Sequence, residues 1–401
     1  MEGQTLIIER PSYMDQLREA EGTHDIKVLT GIRRSGKSTL LRSFADDLRR
    51  RNPRMNLIHI DYNVSSFEAP ATGEALYHYV MDAHEEDALN VLMIDEVQMC
   101  AGFERALNAL HASEKFDIYI TGSNAFFLSS NLATLFTGRT YTIPVWPFSL
   151  KEYMQYWQIP DPREAFARFR LEGGMPGSFD YGTPASHARY LREVWQTLIA
   201  RDVMDIHTVR NESLLESLTE FLLSNIANVT SAKNIETTLR SAGRTLSNKT
   251  VDAYLQYLVN AYAFCKVRRY DTTGKRYLTY GSKYYLTDHA FRFAVLGTRN
   301  MDFGRVSENI VATELQRRGY EIYAGTMRDK EIDFVAMRPD EVLYIQVCED
   351  ISSPETFERE IRPFLSIRDR WPCLLLANTH QPAYSHDGIM VRDLASWLAG
   401  S

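Results

Sequence analysis

Long apolar runs and helical periods alternate along the first part of the chain. Asp25–Gly31 (DIKVLTG) reads as a buried strand ending in a glycine loop, and a helix-like period follows from Lys37 to Arg50. Further apolar runs stand at Asn56–Tyr62, Val91–Val97, Asp117–Thr121 and Tyr141–Val145, separated by helix-like segments such as Phe103–Glu114 and Leu128–Phe136. Strands alternating with helices predict a parallel sheet covered on both faces. From Leu150 to about Asn228 the pattern is helical, broken only at Gly173-Gly174-Met175-Pro176-Gly177.

The pattern then changes character. Between Asn234 and Leu286 a helix (NIETTLRSA) stops at Gly243. A second helix opens near Ser247-Asn248, and two strands (FCKVRRY and KRYLTYGSKYYL) flank the turn Asp271–Gly274. From Ser307 to Ser401 come a helix (SENIVATELQRRG), three strands, a helix (ETFEREIRPFLSI) and a strand (CLLLAN). A chain of 401 residues exceeds one compact core, so two or three domains are expected, and no Gly/Ser linker separates them. No apolar run approaches the roughly 18 residues of a membrane span. The N-terminus carries charges where a signal peptide needs an apolar stretch. Cys100, Cys265, Cys348 and Cys373 lie far apart without ligand spacing. Neither zinc nor a disulfide framework is expected, and a reducing cytoplasm fits.

Candidate chemistry concentrates near the N-terminus. Gly31-Ile-Arg-Arg-Ser-Gly36-Lys37-Ser38 fits the phosphate-loop pattern GxxxxGK[ST], and it follows an apolar strand and opens a helix. Gly31, Arg33, Arg34, Ser35, Gly36, Lys37, Ser38 and Thr39 are therefore the expected ATP-binding set. Successive backbone N–H groups would curl around phosphate, Lys37 would neutralise the β/γ oxygens, and Ser38 would ligate Mg2+. Val91-Leu-Met-Ile-Asp95-Glu96 ends a buried strand in two carboxylates. Asp95 is placed for the magnesium water shell and Glu96 for general-base activation of water. A third strand ends in Thr121-Gly-Ser123-Asn124, where Ser123 or Asn124 would orient that water. Arg139 precedes the last sheet strand and is placed to reach a neighbouring subunit's γ-phosphate.

This order of phosphate loop, acidic strand end, polar strand end and arginine resembles the AAA+ superfamily. The wording GIRRSGKSTLL, MIDEVQ, ITGSNAFFLSS and FTGRTYTIPVWPFSLKEY is similar to its archaeal-type ATPase group, found also in bacteria. The resemblance makes Lys37 and Ser38 Walker A, Asp95 and Glu96 Walker B, Ser123 or Asn124 sensor 1, and Arg139 the arginine finger. It also lays Pro176 against the adenine and implies a homo-oligomeric ring, such as a hexamer.

Charge is segregated along the chain. Lys233 to Lys283 holds ten Lys/Arg against Glu236, Asp252 and Asp271, a charge of +7, while the remainder carries −14. Helix, glycine turn, helix and charged hairpin read as a winged helix on the DNA backbone. Lys249, at the start of its recognition helix, and Arg268, Arg269, Lys275 and Arg276 in its wing are the expected DNA contacts. Further on, Glu308, Asp333 and Gln346-Val-Cys348 resemble a restriction-endonuclease-like core in which Gln and Cys replace the metal-binding Glu and the Lys. That core is expected to scaffold rather than cut, with Glu308 and Asp333 as a scattered helix cap and solvated strand residue. The expected fold is α/β: an AAA+ core (residues 1–149), a helical lid (150–228), a winged helix (229–290) and a degenerate nuclease-like domain (291–401). The expected function is an ATP-driven machine on DNA. The rivals are a slowly turning assembly switch and an ATP-regulated nuclease.

Overall fold

The computed structural model describes residues 8–63, 69–122, 138–207, 209, 211–241, 243, 247–297, 302–327 and 330–400. The chain divides into two compact units: residues up to Val145 with Asn260–Tyr262, and the rest from Trp146 onward.

In the first unit five parallel strands are ordered β2-β3-β4-β1-β5, with β1 at Ile26–Thr30, β2 at Asn56–Asp61, β3 at Asn90–Asp95, β4 at Asp117–Thr121 and β5 at Thr140–Pro144. Successive side chains leave opposite faces of a strand, and here both faces are covered. Ile26, Val28, Leu92, Ile94, Ile118 and Ile120 pack with the Gly73–Asp82 and Phe103–Ala112 helices. Leu29, Val91, Met93 and Tyr119 face the other way, onto the Pro11–Ala20 and Lys37–Arg51 helices. That double burial is why the central strand β3 reads as a continuous apolar run. At the opposite end of the sheet from the phosphate loop, buried Lys27 holds Asp117 at 2.5 Å, and Tyr119 donates to the same carboxylate at 2.9 Å.

The second unit opens with helices Leu150–Trp157, Pro162–Glu172, Pro184–Thr197 and Glu212–Ser224, followed by Ala232–Ser241 and Asn248–Asn260. Its sheet has eight strands in the order β12-β13-β11-β10-β9-β8-β6-β7. These are β6 (Phe264–Asp271), β7 (Arg276–Leu286), β8 (Glu321–Met327), β9 (Lys330–Arg338), β10 (Glu341–Cys348), β11 (Cys373–Ala377), β12 (Tyr384–His386) and β13 (Ile389–Asp393). The β6–β7 hairpin, read from sequence as a free wing, is annexed to this sheet: β6 runs parallel to β8 through Arg269–Ala324, Tyr270–Gly325 and Asp271–Thr326. Among the described residues no helix is long and apolar enough to cross a membrane.

Candidate functional site

The loop after β1 is shaped by backbone constraints. Gly31 has φ +138°, and a Cβ there would lie 2.3 Å from the Val145 carbonyl oxygen, so only glycine fits. Gly36 takes φ +97° at the start of the Lys37–Arg51 helix, which turns that helix's free N–H groups toward the loop. Lys37 is buried, and its Nζ donates to the Gly31 and Ile32 carbonyls at 3.1 and 3.0 Å. The Ser35 hydroxyl is fully buried and finds no hydrogen-bond partner, and neither does the Thr30 hydroxyl at the end of β1. Buried polar atoms are rarely left so, and a loop holding orphaned donors and a buried ammonium fits an anion that accepts from them. Arg33 is half-buried, while Arg34 and Thr39 are exposed.

Across from the loop stand the ends of β3 and β4. Asp95 is buried, and burial pushes its carboxyl pKa up, opposed by hydrogen bonds from Ser38 and Thr121. Ser38 and Asp95 thus meet as two oxygen ligands of Mg2+ would, and these residues fit the ion. Glu96 is buried with φ +54°, in the left-handed region; its N–H donates to the Thr121 hydroxyl at 2.9 Å, and Gln98 donates to its carboxylate at 2.5 Å. The strand stops at Asp95, and the left-handed turn at Glu96 carries that carboxylate beyond the strand end. Strain of this kind collects at functional positions. Asp61 ends β2 in register with Asp95. Ser123 and Asn124 lie outside the described residues. Arg139 is exposed, with its carbonyl accepting from Ile26 N–H at 2.9 Å.

Two residues of this site escape motif reading. Thr121 bonds both Asp95 and the Glu96 backbone, tying the ends of β3 and β4 together. Arg10, just before the Pro11–Ala20 helix, is buried; its Nη1 donates to the Ser35 carbonyl at 3.2 Å and its guanidinium lies 4.3 Å from the Tyr13 ring centre. No motif in the sequence points from Arg10 to the loop, because the two are joined only through the fold.

Residues 23–154 match a protein family described as AAA domain, and residues 163–302 match one described as a domain of unknown function. An uncharacterised protein of Haemophilus influenzae is 33% identical to the chain over 408 residues, covering 98% of each. The chain belongs to that protein's family, as an AAA-domain protein. A further relative of the AAA-domain protein, an uncharacterised protein of Methanocaldococcus jannaschii, is 26% identical over 84% of this chain and 78% of its own length. Among solved structures the Walker-type ATPase of Pyrococcus abyssi shares the fold, with a TM-score of 0.51 at 19% identity over 72% of this chain and 95% of that one.

The remaining candidates of the AAA-domain protein lie in its second unit. Pro176 opens a short turn behind Gly174, whose N–H donates to Asp288 at 2.7 Å. Lys249 is exposed at the start of its helix. Arg268 lies over the Tyr277 and Tyr323 rings and Arg269 donates to Thr326 at 3.1 Å; Lys275 and Arg276 are largely exposed beside Asp369 and Asp271. Lys283, counted among the basic surface, is instead buried. Its Nζ lies 2.9 Å from Glu308, 2.5 Å from Glu331 and 3.8 Å from Asp333. Burial works against its charge, yet the surrounding carboxylates hold its pKa above the ordinary value. Glu308 and Asp333 are therefore not scattered: one ammonium joins them, Tyr285 donates to Glu308 at 2.7 Å, and Val347 N–H donates to Asp333 at 2.8 Å. Among the described residues no three His, Cys, Asp or Glu side chains are grouped to hold a metal ion. These carboxylates close on Lys283 instead, and they do not fit a metal as they stand.

Proposed function

We propose that this AAA-domain protein binds ATP with Mg2+ and hydrolyses it, working as a ring-forming homo-oligomer, such as a hexamer, on DNA. The observation that carries the ATP reading is the phosphate loop itself, which holds a buried Ser35 hydroxyl without a hydrogen-bond partner and a buried lysine resting on loop carbonyls. On binding, Lys37 exchanges those carbonyls for phosphate oxygens, and the helix N-terminus and loop N–H groups take the rest. Ser38 and Asp95 would hold Mg2+, which supplies positive charge to the transferring phosphoryl group. Glu96, raised by its backbone turn and steadied by Gln98, accepts the proton of the attacking water. Ser123 or Asn124 orients that water, Arg139 acts across a subunit boundary, and Pro176 covers the adenine.

The DNA reading is supported by the exposed Lys249, Lys275 and Arg276. Arg268 packs on the Tyr277 and Tyr323 rings and Arg269 on the Thr326 hydroxyl, so they would act as shaped donors. A helical lid (150–228), a winged helix (229–290) and a scaffold region (291–401) remain the domain reading, with the β6–β7 hairpin shared between the last two and the carboxylates Glu308 and Asp333 spent on Lys283.

Turnover should be measured with and without duplex and single-stranded DNA. Lys37→Ala is expected to lose ATP binding. Glu96→Gln is expected to keep binding while hydrolysing roughly 10²-fold or more slowly, the usual contribution of a positioned base. Near wild-type turnover in Glu96→Gln would remove the assigned base. Acceleration by DNA supports the machine, whereas nucleotide-dependent assembly with negligible turnover supports the switch.

A further inference from the structure

The β6–β7 hairpin contains an interruption that the DNA reading leaves unused. Arg269 pairs with Leu278 and Arg268 with Ser282, so residues 279–281 stand on β7 with no partner across the ladder. Such bulges re-aim a side chain at the cost of ladder hydrogen bonds. Gly281 makes the return with φ +74°, and a Cβ there would meet Val229 Cγ1 at 3.0 Å. Beyond the bulge the strand is fixed again: Ser282 and Thr230 exchange backbone hydrogen bonds of 2.8 and 2.9 Å. The result is a firmly held backbone that leaves Tyr280 74% exposed.

Beside Tyr280 lies a cavity of about 300 Å³ whose lining includes Lys233, Lys266, Asn248, Asp252 and Tyr284. Lys233 and Lys266 are exposed, and Asp252 is the carboxylate set against them. Two helices start at this cavity, Ala232–Ser241 and Asn248–Asn260, with Ser231 and Ser247 capping their first turns. Ammonium groups and helix N-termini favour a phosphate, while a free aromatic face favours a flat ring. An apolar peptide would satisfy only the tyrosine.

We propose that Tyr280 and this cavity bind one nucleotide unit of single-stranded nucleic acid, its base stacked on the Tyr280 ring and its phosphate held by Lys233 and Lys266. The assignment rests on the nucleic-acid reading above and narrows it to an unpaired strand, because a base inside a duplex offers no free face. Stacking tolerates any base, so affinity depends on strandedness and salt more than on sequence.

The test uses the full chain and fluorescence anisotropy with a labelled single strand of about 20 nucleotides, longer than the ~4–16 covered by a small binding module, and the matching duplex. Tyr280→Ala is expected to weaken single-strand binding by roughly tenfold, the usual effect of losing one stacked base. Tyr280→Phe should bind within about twofold of wild type, since it keeps the stacking face. Lys233→Glu with Lys266→Glu should flatten the salt dependence. Circular dichroism and the unfolding midpoint of Tyr280→Ala should match wild type, because the ring is exposed. Wild-type binding of the single strand with no loss in Tyr280→Ala overturns this site while leaving the nucleic-acid reading standing. A loss confined to duplex overturns the single-strand assignment, and competition by free dAMP as effective as by the strand reassigns the cavity to mononucleotides. No binding of either DNA by wild type removes the nucleic-acid reading, and this site with it.

Discussion

Arg10 lies 25 positions ahead of Ser35, yet its guanidinium rests on that residue's carbonyl inside the phosphate loop. The contact closes the loop from outside. A guanidinium is always charged and donates in a fixed fork, so it holds the carbonyl while adding positive potential beside the anion site. Stacking on Tyr13 keeps the side chain in place. Arg10→Ala should therefore weaken ATP binding by roughly tenfold or more, the equivalent of one charge-assisted hydrogen bond. Arg10→Lys should recover part of it, because an ammonium keeps the charge and loses the fork. Titration of a fluorescent ATP analogue checks this, with the unfolding midpoint followed in parallel. Equal affinity in Arg10→Ala would mean that the loop holds its shape unaided.

The elements of the first unit were legible in the sequence because two signals coincide there. Both sheet faces are buried, so β3 and β4 read as apolar runs and β1 as one interrupted only at Lys27, and the phosphate loop must sit between strand and helix to work. What could not be read is long-range. The left-handed turn at Glu96, just past the end of β3, leaves no mark on hydropathy. Lys283 looked like one more cation of a basic hairpin, because its partners sit on a helix and a strand 25 or more residues further on. The hairpin's place in an eight-stranded sheet was hidden for the same reason. The buried ammonium now carries a prediction at this scale. Lys283→Met would leave Glu308, Glu331 and Asp333 facing one another without a cation, a loss of about 3–5 kcal/mol for breaking a buried pair. Adding Glu308→Gln should restore part of that stability by removing one of the stranded charges. Urea denaturation of the single and double variants measures both effects. Equal stability of Lys283→Met and wild type would show the carboxylates to be solvated and the cage to be unimportant.

At the scale of the whole molecule the two units can be followed separately, and their response to acid can be derived. Trp146, Trp157, Trp195, Trp371 and Trp397 all fall in the second unit, so tryptophan fluorescence reports that unit, while far-ultraviolet circular dichroism reports both. Burial pushes the imidazole pKa of His59, His111, His187, His207 and His289 below the ordinary value. The unfolded chain therefore binds more protons than the folded one between each depressed value and about 6.5, and stability falls as pH falls through that window. Asp47 also favours the ionised form, through its hydrogen bond from Arg18, but its stabilisation is lost only below the ordinary carboxylate range near 4. Asp333 opposes both: burial raises its pKa, so its contribution is present at low pH and is lost as pH rises through the folded value. The net expectation is an unfolding midpoint that drops by several degrees between pH 6.5 and 5, each histidine contributing at most about 1.4 kcal/mol per pH unit. His289, fully packed with its Nε2 2.9 Å from the Phe169 carbonyl, should contribute to the fluorescence-detected transition. Replacing it by Gln keeps a neutral donor and should flatten that transition's pH dependence, while the histidines of the first unit continue to shift the dichroism signal. A midpoint that stays level down to pH 5 by both probes would mean that these rings take up protons in place, with water reaching them in the folded state.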